Sequence, residues 1–391
     1  MSRILFVVLA EKGHVHPFIA PAQELARRGH QVGFYAPCDL SDPLERAGIK
    51  HVFVGATEDE PPLDANRGPA FAALVRDRAR LRGWIRSMLV ESVPHEVERL
   101  AALVRGYRPA VIVADPMAYA APIVARWAGV PWAGLSTSLN SVVPDDWTSE
   151  LIETTSALPR AELFAEYGLT GARFRVSDCL SPHLNVAWTS PELVGEGPAD
   201  VLLAGASLPR GARGDEVEAP ALALDPSRPL VFMALGSQIY HQPRMFEVVV
   251  EASRGQPWQL VLAMGGLASA MRLPPDVRAI DYAPQLGLLA RARAMISHGG
   301  ANSVMEALAY GVPLLVSPIC NDQPHNARFV AAAGAGVTCD LSTAGPEEVR
   351  AHLAALCADG PHRAAARRIA AGYEAAGGAQ RVADAIAGLL R

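Results

Sequence analysis

The chain is short of the features that most quickly assign a function. It has only five cysteines in 391 residues, Cys38, Cys179, Cys320, Cys339 and Cys357, widely spaced and without a Cys-x-x-Cys pair. That excludes a zinc-finger or thiol redox motif and reads as reduced thiols in a cytoplasm. Basic residues are not in excess, with 35 Lys and Arg against 40 Asp and Glu and a net charge of -5. A general nucleic-acid binder, with its basic surface, is therefore excluded. No apolar run is long enough to span a bilayer. The N-terminal ILFVVLA leads into EKGHVHP rather than a small-residue cleavage site, so it reads as a buried strand and not as a signal peptide. There is no short-period repeat. No Asp-x-Asp triplet occurs either, so a metal clamped between paired carboxylates has no evident seat, and no metal or other cofactor is expected.

Against these absences stands a large apolar content: 50% of residues are hydrophobic and 19% charged, enough to bury cores in two or three domains. Buried-strand runs alternate with helical patterns. RILFVVLA, the helix-spaced HPFIAPAQELARRGH and QVGFYAP make one βαβ unit, and PAVIVADP, AYAAPIVARWAG and VPWAGLS repeat it. RPLVFMALGS, WQLVLAMGG, VRAIDYAP, ARAMISHGG and VPLLVSP then supply the strands of a second parallel sheet. Between them GASLPRGARGDEVEAPALALDPSRP is rich in Pro, Gly and charge and lacks periodicity. The expected organisation is an α/β chain of two doubly wound parallel-sheet domains facing a cleft. Residues 1–205 make the first domain, 206–228 a linker, 229–375 the second domain and 376–391 a C-terminal helix.

In open α/β sheets ligands bind beyond the carboxyl ends of the strands, so the residues that follow each strand carry the information. After AMIS come His298, Gly299 and Gly300, then Asn302 and Ser303 at a helix start. Backbone N–H groups and the positive end of a helix dipole make an anion site, the glycines allow close approach, and a diphosphate fits. Glu306 lies one turn further along the same face, where a carboxylate can accept from two vicinal hydroxyls of a ribose. Asp322 and Gln323 follow the next strand and suit sugar hydroxyls. Taken singly, Asn302 and Ser303 read more simply as helix caps and Asp322 as a turn residue. The set is more specific than its members.

The block DYAPQLGLLARARAMISHGGANSVMEALAYGVPLLVSPICNDQPHNA, with LGS at Leu235 to Ser237 and the N-terminal GHVHP, resembles family 1 nucleotide-sugar glycosyltransferases of the bacterial natural-product and macrolide type. The resemblance implies the GT-B fold, with a C-terminal helix, here QRVADAIAGLL, crossing back to the N-terminal domain. It implies that Ser237, His298, Gly299, Gly300, Asn302 and Ser303 form the diphosphate site, that Glu306 binds the ribose, and that Asp322 and Gln323 hold the transferred sugar. Tyr282 stands where the family has a Trp stacking on the base, with Gln285 beside it, which leaves uridine and thymidine nucleotides both open.

The resemblance further implies an inverting transfer of a hexose from a UDP-sugar such as UDP-glucose, or from a dTDP-sugar, to an acceptor hydroxyl. His14 would be the general base and Asp115 the carboxylate that orients it. An imidazole of ordinary pKa, about 6.5, is mostly neutral in a cytoplasm and ready to take a proton. His16 is the rival base and otherwise an acceptor contact, and Asp115 has the alternative of capping the segment after it. A GT-B nucleotide-sugar epimerase and a non-catalytic auxiliary protein of a glycosyltransferase are the alternative functions. A Rossmann dehydrogenase is excluded because GAGVTC from Gly334 follows a helical stretch and lacks the third glycine. A serine hydrolase is excluded because Ser138 stands where the nucleophile elbow needs glycine.

For the acceptor, Leu139, Val142, Val143 and Trp147 in STSLNSVVPDDW offer an apolar surface for a hydrophobic natural-product aglycone. In LVRDRARLRGWIRSML, Leu74, Leu81, Trp84, Ile85 and Met88 share one helical face and Arg76, Arg78, Arg80, Arg82 and Arg86 the rest. The expected reading is a helix packed on the domain with a solvated basic face, and contact with an anionic membrane is the minority reading.

Overall fold

The computed structural model describes residues 1–54, 63–214, 222 and 224–390, so within the 206–228 linker residues 215–221 and 223 lie outside it, as does Arg391. Near-continuous apolar runs form the strands. In the N-terminal half these are β1 (Arg3–Val7), β2 (Gln31–Ala36), β3 (His51–Val54), β4 (Val111–Ala114), β5 (Trp132–Leu135), β6 (Arg173–Arg175), β7 (Asp178–Leu180), β8 (Leu184–Ala187) and β9 (Leu202–Leu203). Seven of them make one parallel sheet in the order β3-β2-β1-β4-β5-β8-β9, and β6 and β7 form a separate antiparallel hairpin. The C-terminal half has β10 (Leu230–Ala234), β11 (Gln259–Ala263), β12 (Val277–Ile280), β13 (Ala292–Ser297), β14 (Leu314–Val316) and β15 (Gly336–Thr338). They form a second parallel sheet, β12-β11-β10-β13-β14-β15. β4 is buried along its whole length, as a parallel strand covered by helices on both faces must be.

Strand order explains where the chemistry sits. In each sheet the first strand in sequence lies between strands reached in opposite directions: β1 between β2 and β4, β10 between β11 and β13. At such a switch the following loops diverge and leave a crevice. Val7 pairs with Ala114, which sets the loops after β1 and β4 side by side, and Ala234 pairs with Ser297, which does the same after β10 and β13.

The helix Lys12–Arg27 follows β1 and contains Pro17 and Pro21. Proline has no N–H, so each leaves the carbonyl four residues back without its helical donor. Asn302 Nδ2, from the second domain, donates to the Gly13 carbonyl at 2.7 Å, and Ser207 Oγ donates to the Pro17 carbonyl at 2.7 Å. The two prolines thus expose the acceptors through which the linker and the second domain dock. The last helix, Gly378–Gly388, returns to the same region: Arg28 Nη1 donates to Asp384 Oδ1 at 2.6 Å, and Val382, Ala383 and Ile386 are buried.

The Arg-rich stretch is not one helix. It breaks into Gly68–Arg76 and Arg78–Arg86 at Asp77, whose carboxylate accepts from the N–H groups of Ala79 at 3.0 Å and Arg80 at 3.2 Å. Among the described residues no helix is long and apolar enough to cross a membrane.

Candidate functional site

The loops after the four switch-point strands enclose a cleft of about 540 Å³ between the two domains. On its N-terminal wall His14 Nδ1 lies 2.6 Å from Asp115 Oδ2, and Asp115 is fully buried with its other oxygen accepting from the Met117 N–H at 2.8 Å. Thr137, two residues past the end of β5, donates to Asp115 Oδ2 at 3.0 Å and lies 2.9 Å from His14 Nδ1. The Nδ1 edge is therefore fixed. Nε2 faces Glu11 at 3.6 Å, beyond hydrogen-bond range, and is the ring atom open to an acceptor hydroxyl. Burial by itself lowers the His14 pKa, but the charge and hydrogen bond of Asp115 outweigh it, helped by Glu11 and Asp322, and raise it from 6.5 to about 9. The neutral resting imidazole expected from the sequence is thus corrected to an imidazolium at neutral pH. The cause is the fully buried carboxylate.

The opposite wall starts from β13. The His298 ring lies between two glycines: a Cβ on Gly300 would come within 2.6 Å of Nε2, and one on Gly236 within 2.9 Å of Cε1. Burial lowers the His298 pKa to about 4, only partly opposed by the Ala234 carbonyl, so this imidazole is neutral. The helix Ala301–Ala309 begins at Gly300 with no side-chain cap, which sets aside the capping reading of Asn302 and Ser303 and leaves its first N–H groups facing the cleft. Ser303 lines the cleft, while the Asn302 amide is engaged by Gly13. Ser237 and Gly236 line it from the loop after β10.

Glu306 is buried, with Oε1 accepting from Arg213 Nη1 and Oε2 from Gln285 Nε2, both at 2.7 Å. Asp322 does not cap the helix it precedes. It accepts from Asn326 Nδ2 at 2.8 Å, and burial raises its pKa against the opposing effects of Asn326 and His14. The Gln323 oxygen holds its own loop, accepting from the N–H groups of Ile319 at 2.8 Å and Cys320 at 3.0 Å. Tyr282 lines the cleft with the Lys12 ammonium 4.1 Å from its ring centroid, so a stacking base must share the ring with that cation.

The expected acceptor surface is only partly where the sequence suggested. Leu139, Val142 and Val143 are buried in the core of the first domain and do not line the cleft. Trp147 packs against Phe329 of the second domain at 4.7 Å between centroids, with Arg328 3.9 Å over its ring. The apolar wall comes instead from Phe71, Trp84, Ile85, Met88 and Leu89, the inward face of the Arg-rich segment, with Met117 and Leu151; His16 lines it too. Four of these arginines meet other groups: Arg78 and Arg82 lie 3.5 and 3.6 Å from Glu150, Arg86 3.0 Å from Glu91, and Arg76 donates to Gln242.

Several cleft residues were not singled out from sequence. Thr137 could have been, because it follows the strand next to β4. Glu11, Lys12 and Asn321 sit in the same loops as chosen residues. Arg213 had no signal, since it lies in a stretch without periodicity. The one grouping among the described residues able to hold a metal, Cys339 with Glu348 and His352, does not line the cleft.

Comparison with known proteins places this geometry. The family models for the erythromycin biosynthesis protein CIII-like C-terminal and N-terminal domains match residues 260–389 and 23–154. Demethyllactenocin mycarosyltransferase of Streptomyces fradiae is 27% identical, the alignment covering 100% of this chain and 87% of that protein. Oleandomycin glycosyltransferase of Streptomyces antibioticus is 28% identical, covering 98% and 90%. The crystal structure of the glycosyltransferase of kitacinnamycin superposes with a TM-score of 0.79 at 24% identity, covering 100% and 99%. Glycosyltransferase VinC, solved with dTDP, superposes with a TM-score of 0.70 at 21% identity, covering 99% of each chain. The fold is GT-B.

Proposed function

Because the chain belongs to the erythromycin biosynthesis protein CIII-like family of bacterial natural-product glycosyltransferases, we propose that its cleft moves a hexose from a UDP- or dTDP-sugar to a hydroxyl of a hydrophobic natural-product acceptor. The observation that carries this reading is a single cleft in which the His14–Asp115 pair faces an uncapped helix N-terminus, with Asp322 near enough to His14 for each to shift the other's pKa. The sugar transfer named for the relatives and the dTDP held by VinC support it.

In this reading neutral His14 takes the acceptor proton at Nε2 while the hydroxyl oxygen attacks the anomeric carbon from the face opposite the diphosphate. The C–O bond to the diphosphate breaks, the configuration inverts, and the nucleoside diphosphate leaves with the electron pair. Asp115 fixes the ring and stabilises the imidazolium formed. His298 is neutral and adds no positive charge, so the fixed N–H dipoles of the Ala301–Ala309 helix start are the groups set to meet charge developing on the leaving phosphate. The apolar wall of Trp84, Ile85 and Met88 fits a lipophilic aglycone. The diphosphate is held without a metal, so transfer should survive EDTA. Five free cysteines fit a cytoplasmic site of action.

The direct test is mass spectrometry of the purified protein with UDP-glucose and dTDP-sugars against a panel of aglycones, followed by NMR of the product. Glycosylated aglycone with inverted anomeric configuration is expected. Retained configuration, or transfer only to small polar sugars, defeats the proposal.

A further inference from the structure

The first domain buries a second carboxyl group close to the His14–Asp115 pair, and the chemistry described above does not use it. Asp178 opens β7, is 1% exposed and does not line the cleft. Burial raises its pKa to about 7, with the charge of Asp115 adding to the rise and the Ser136 hydroxyl opposing it. Three bonds pin the hairpin that carries it. Tyr119 Oη donates to the Ser177 carbonyl at 2.6 Å, Asn140 Nδ2 to Ser177 Oγ at 2.8 Å, and the Cys179 N–H to the Pro116 carbonyl at 3.0 Å. A buried polar group is kept where its hydrogen bond does something, and the partner of Asp178 is specific. Asp178 Oδ2 lies 2.6 Å from Ser136 Oγ.

Ser136 controls the backbone on both sides of Thr137. Its N–H donates to the Val186 carbonyl of β8 at 2.9 Å, and its Oγ lies 2.9 Å from the Ser138 carbonyl and 3.4 Å from the Ser138 N–H. That hydroxyl therefore closes a tight turn across Thr137. Thr137 Oγ1 stands at the tip, 2.9 Å from His14 Nδ1 and 3.0 Å from Asp115 Oδ2, the same oxygen that holds the imidazole. The Ser136–Asp178 contact stands in either protonation state of Asp178, since a carboxyl group donates to Ser136 Oγ and a carboxylate accepts from it.

We infer that Asp178 is a positioning residue for the general base: through Ser136 it holds the turn that seats the Thr137 hydroxyl between His14 and Asp115. This rests on the reading of His14 as the base. Without the anchor the turn loosens, Thr137 leaves the Nδ1 edge of the ring, and Nε2 is no longer aimed. A misplacement on the order of 1 Å costs up to about a hundredfold in rate without weakening substrate binding.

Steady-state kinetics of the full chain tests this, read on the alkaline plateau of the pH profile so that a shift in the acidity of His14 does not enter. Asp178→Ala should lower kcat about tenfold or more and leave KM for donor and acceptor within about twofold. Asp178→Asn keeps a hydrogen-bonding group at Ser136 and should hold kcat within about twofold of the wild type. Thr137→Val keeps the shape of the side chain and removes its hydroxyl, so kcat should fall about tenfold. In the Thr137→Val background Asp178→Ala should then cost less than about twofold more, because the two act on one contact. If Asp178→Ala does not fold, Ser136→Ala cuts the same link with the carboxyl group in place and should give the same loss and the same non-additivity. Unchanged kcat in Asp178→Ala or Ser136→Ala overturns the role, as does a full loss in Asp178→Asn, a loss confined to KM, or a loss that is undiminished in the Thr137→Val background. Turnover that survives His14→Ala defeats the base itself, a failure distinct from these.

Discussion

Two histidines border the switch points of the two sheets, His14 after β1, the first strand of its sheet, and His298 after β13, the neighbour of the first strand of the other. Both are largely enclosed, yet their acidities part by several units: about 9 for His14 and about 4 for His298. The fold does not make this difference. One buried carboxylate does, 2.6 Å from His14, with nothing equivalent among the described residues acting on His298, which is bordered by two glycines and a backbone carbonyl. An enclosed imidazole beside a switch point becomes a base when a charge is placed behind it and a neutral polar wall when none is.

The comparison breaks most severely if the base is removed. His14→Ala should lower turnover about 10²- to 10⁴-fold, the usual contribution of a general base, while UDP or dTDP still raises the melting temperature. Loss well below about tenfold contradicts the role. If His16→Ala proves the more damaging change, the wrong imidazole has been chosen.

Asp115→Asn should make His14 resemble His298. Burial, the largest single influence on this ring, is then opposed only by the weaker pull of Glu11 and Asp322, and the His14 pKa falls. In the wild type the base must be deprotonated, so kcat/KM should climb with pH up to about 9. In the variant that limb moves toward acid while the maximal rate drops, on the order of a hundredfold. A limb that stays in place means that Asp115 does not set the acidity of the base.

These contrasts bear on how much could be read from sequence. The strands were legible because parallel strands covered on both faces are continuous apolar runs such as ILFV and VIVA, and the residues just past their ends follow from where those runs stop. The pairing of His14 with Asp115, and the site shared by His298 and the LGS loop, came from the family resemblance laid over those strand ends. The charge state of His14 did not, because it depends on the complete burial of Asp115 and on Glu11 and Asp322 arriving from separate loops. The acceptor wall failed for a related reason. Leu139 and Val142 are as apolar as Ile85 and Met88, and only packing decides which pair meets the core and which the cleft. At Asp77 the helical period runs on across the break, and a cap inside a periodic stretch gives no other sign.

On the neutral side of the comparison the expected effects are smaller. His298→Ala opens space beside Gly236 and Gly300 and removes a polar ring from the diphosphate wall, so nucleotide affinity should fall about tenfold, read as a reduced thermal shift with UDP or dTDP. The pH position of the rate limb should stay near that of the wild type, since His298 is already neutral above about pH 5. An unchanged thermal shift places the nucleotide elsewhere.

The smallest effect is on stability, and there the two histidines should pull in opposite directions along the pH axis. His14 is raised in the fold above its ordinary 6.5, so its contribution is fully present below about 6.5 and is lost as pH rises through about 9. His298 is lowered, so the fold binds its proton less readily than the unfolded chain does; stability is lost as pH falls below 6.5 toward about 4. Each term is at most about 3.5 kcal/mol at roughly 1.4 kcal/mol per pK unit, which amounts to a few degrees in melting temperature for a chain of this size. Melting curves of the wild type, His14→Gln and His298→Gln between pH 4 and 10 separate the two. The wild type should lose its advantage over His14→Gln only on the alkaline side, and His298→Gln should gain on the wild type only on the acid side. If both differences change on the same side of about pH 6.5, the opposed electrostatics of the two walls is wrong, whatever the activity measurements show.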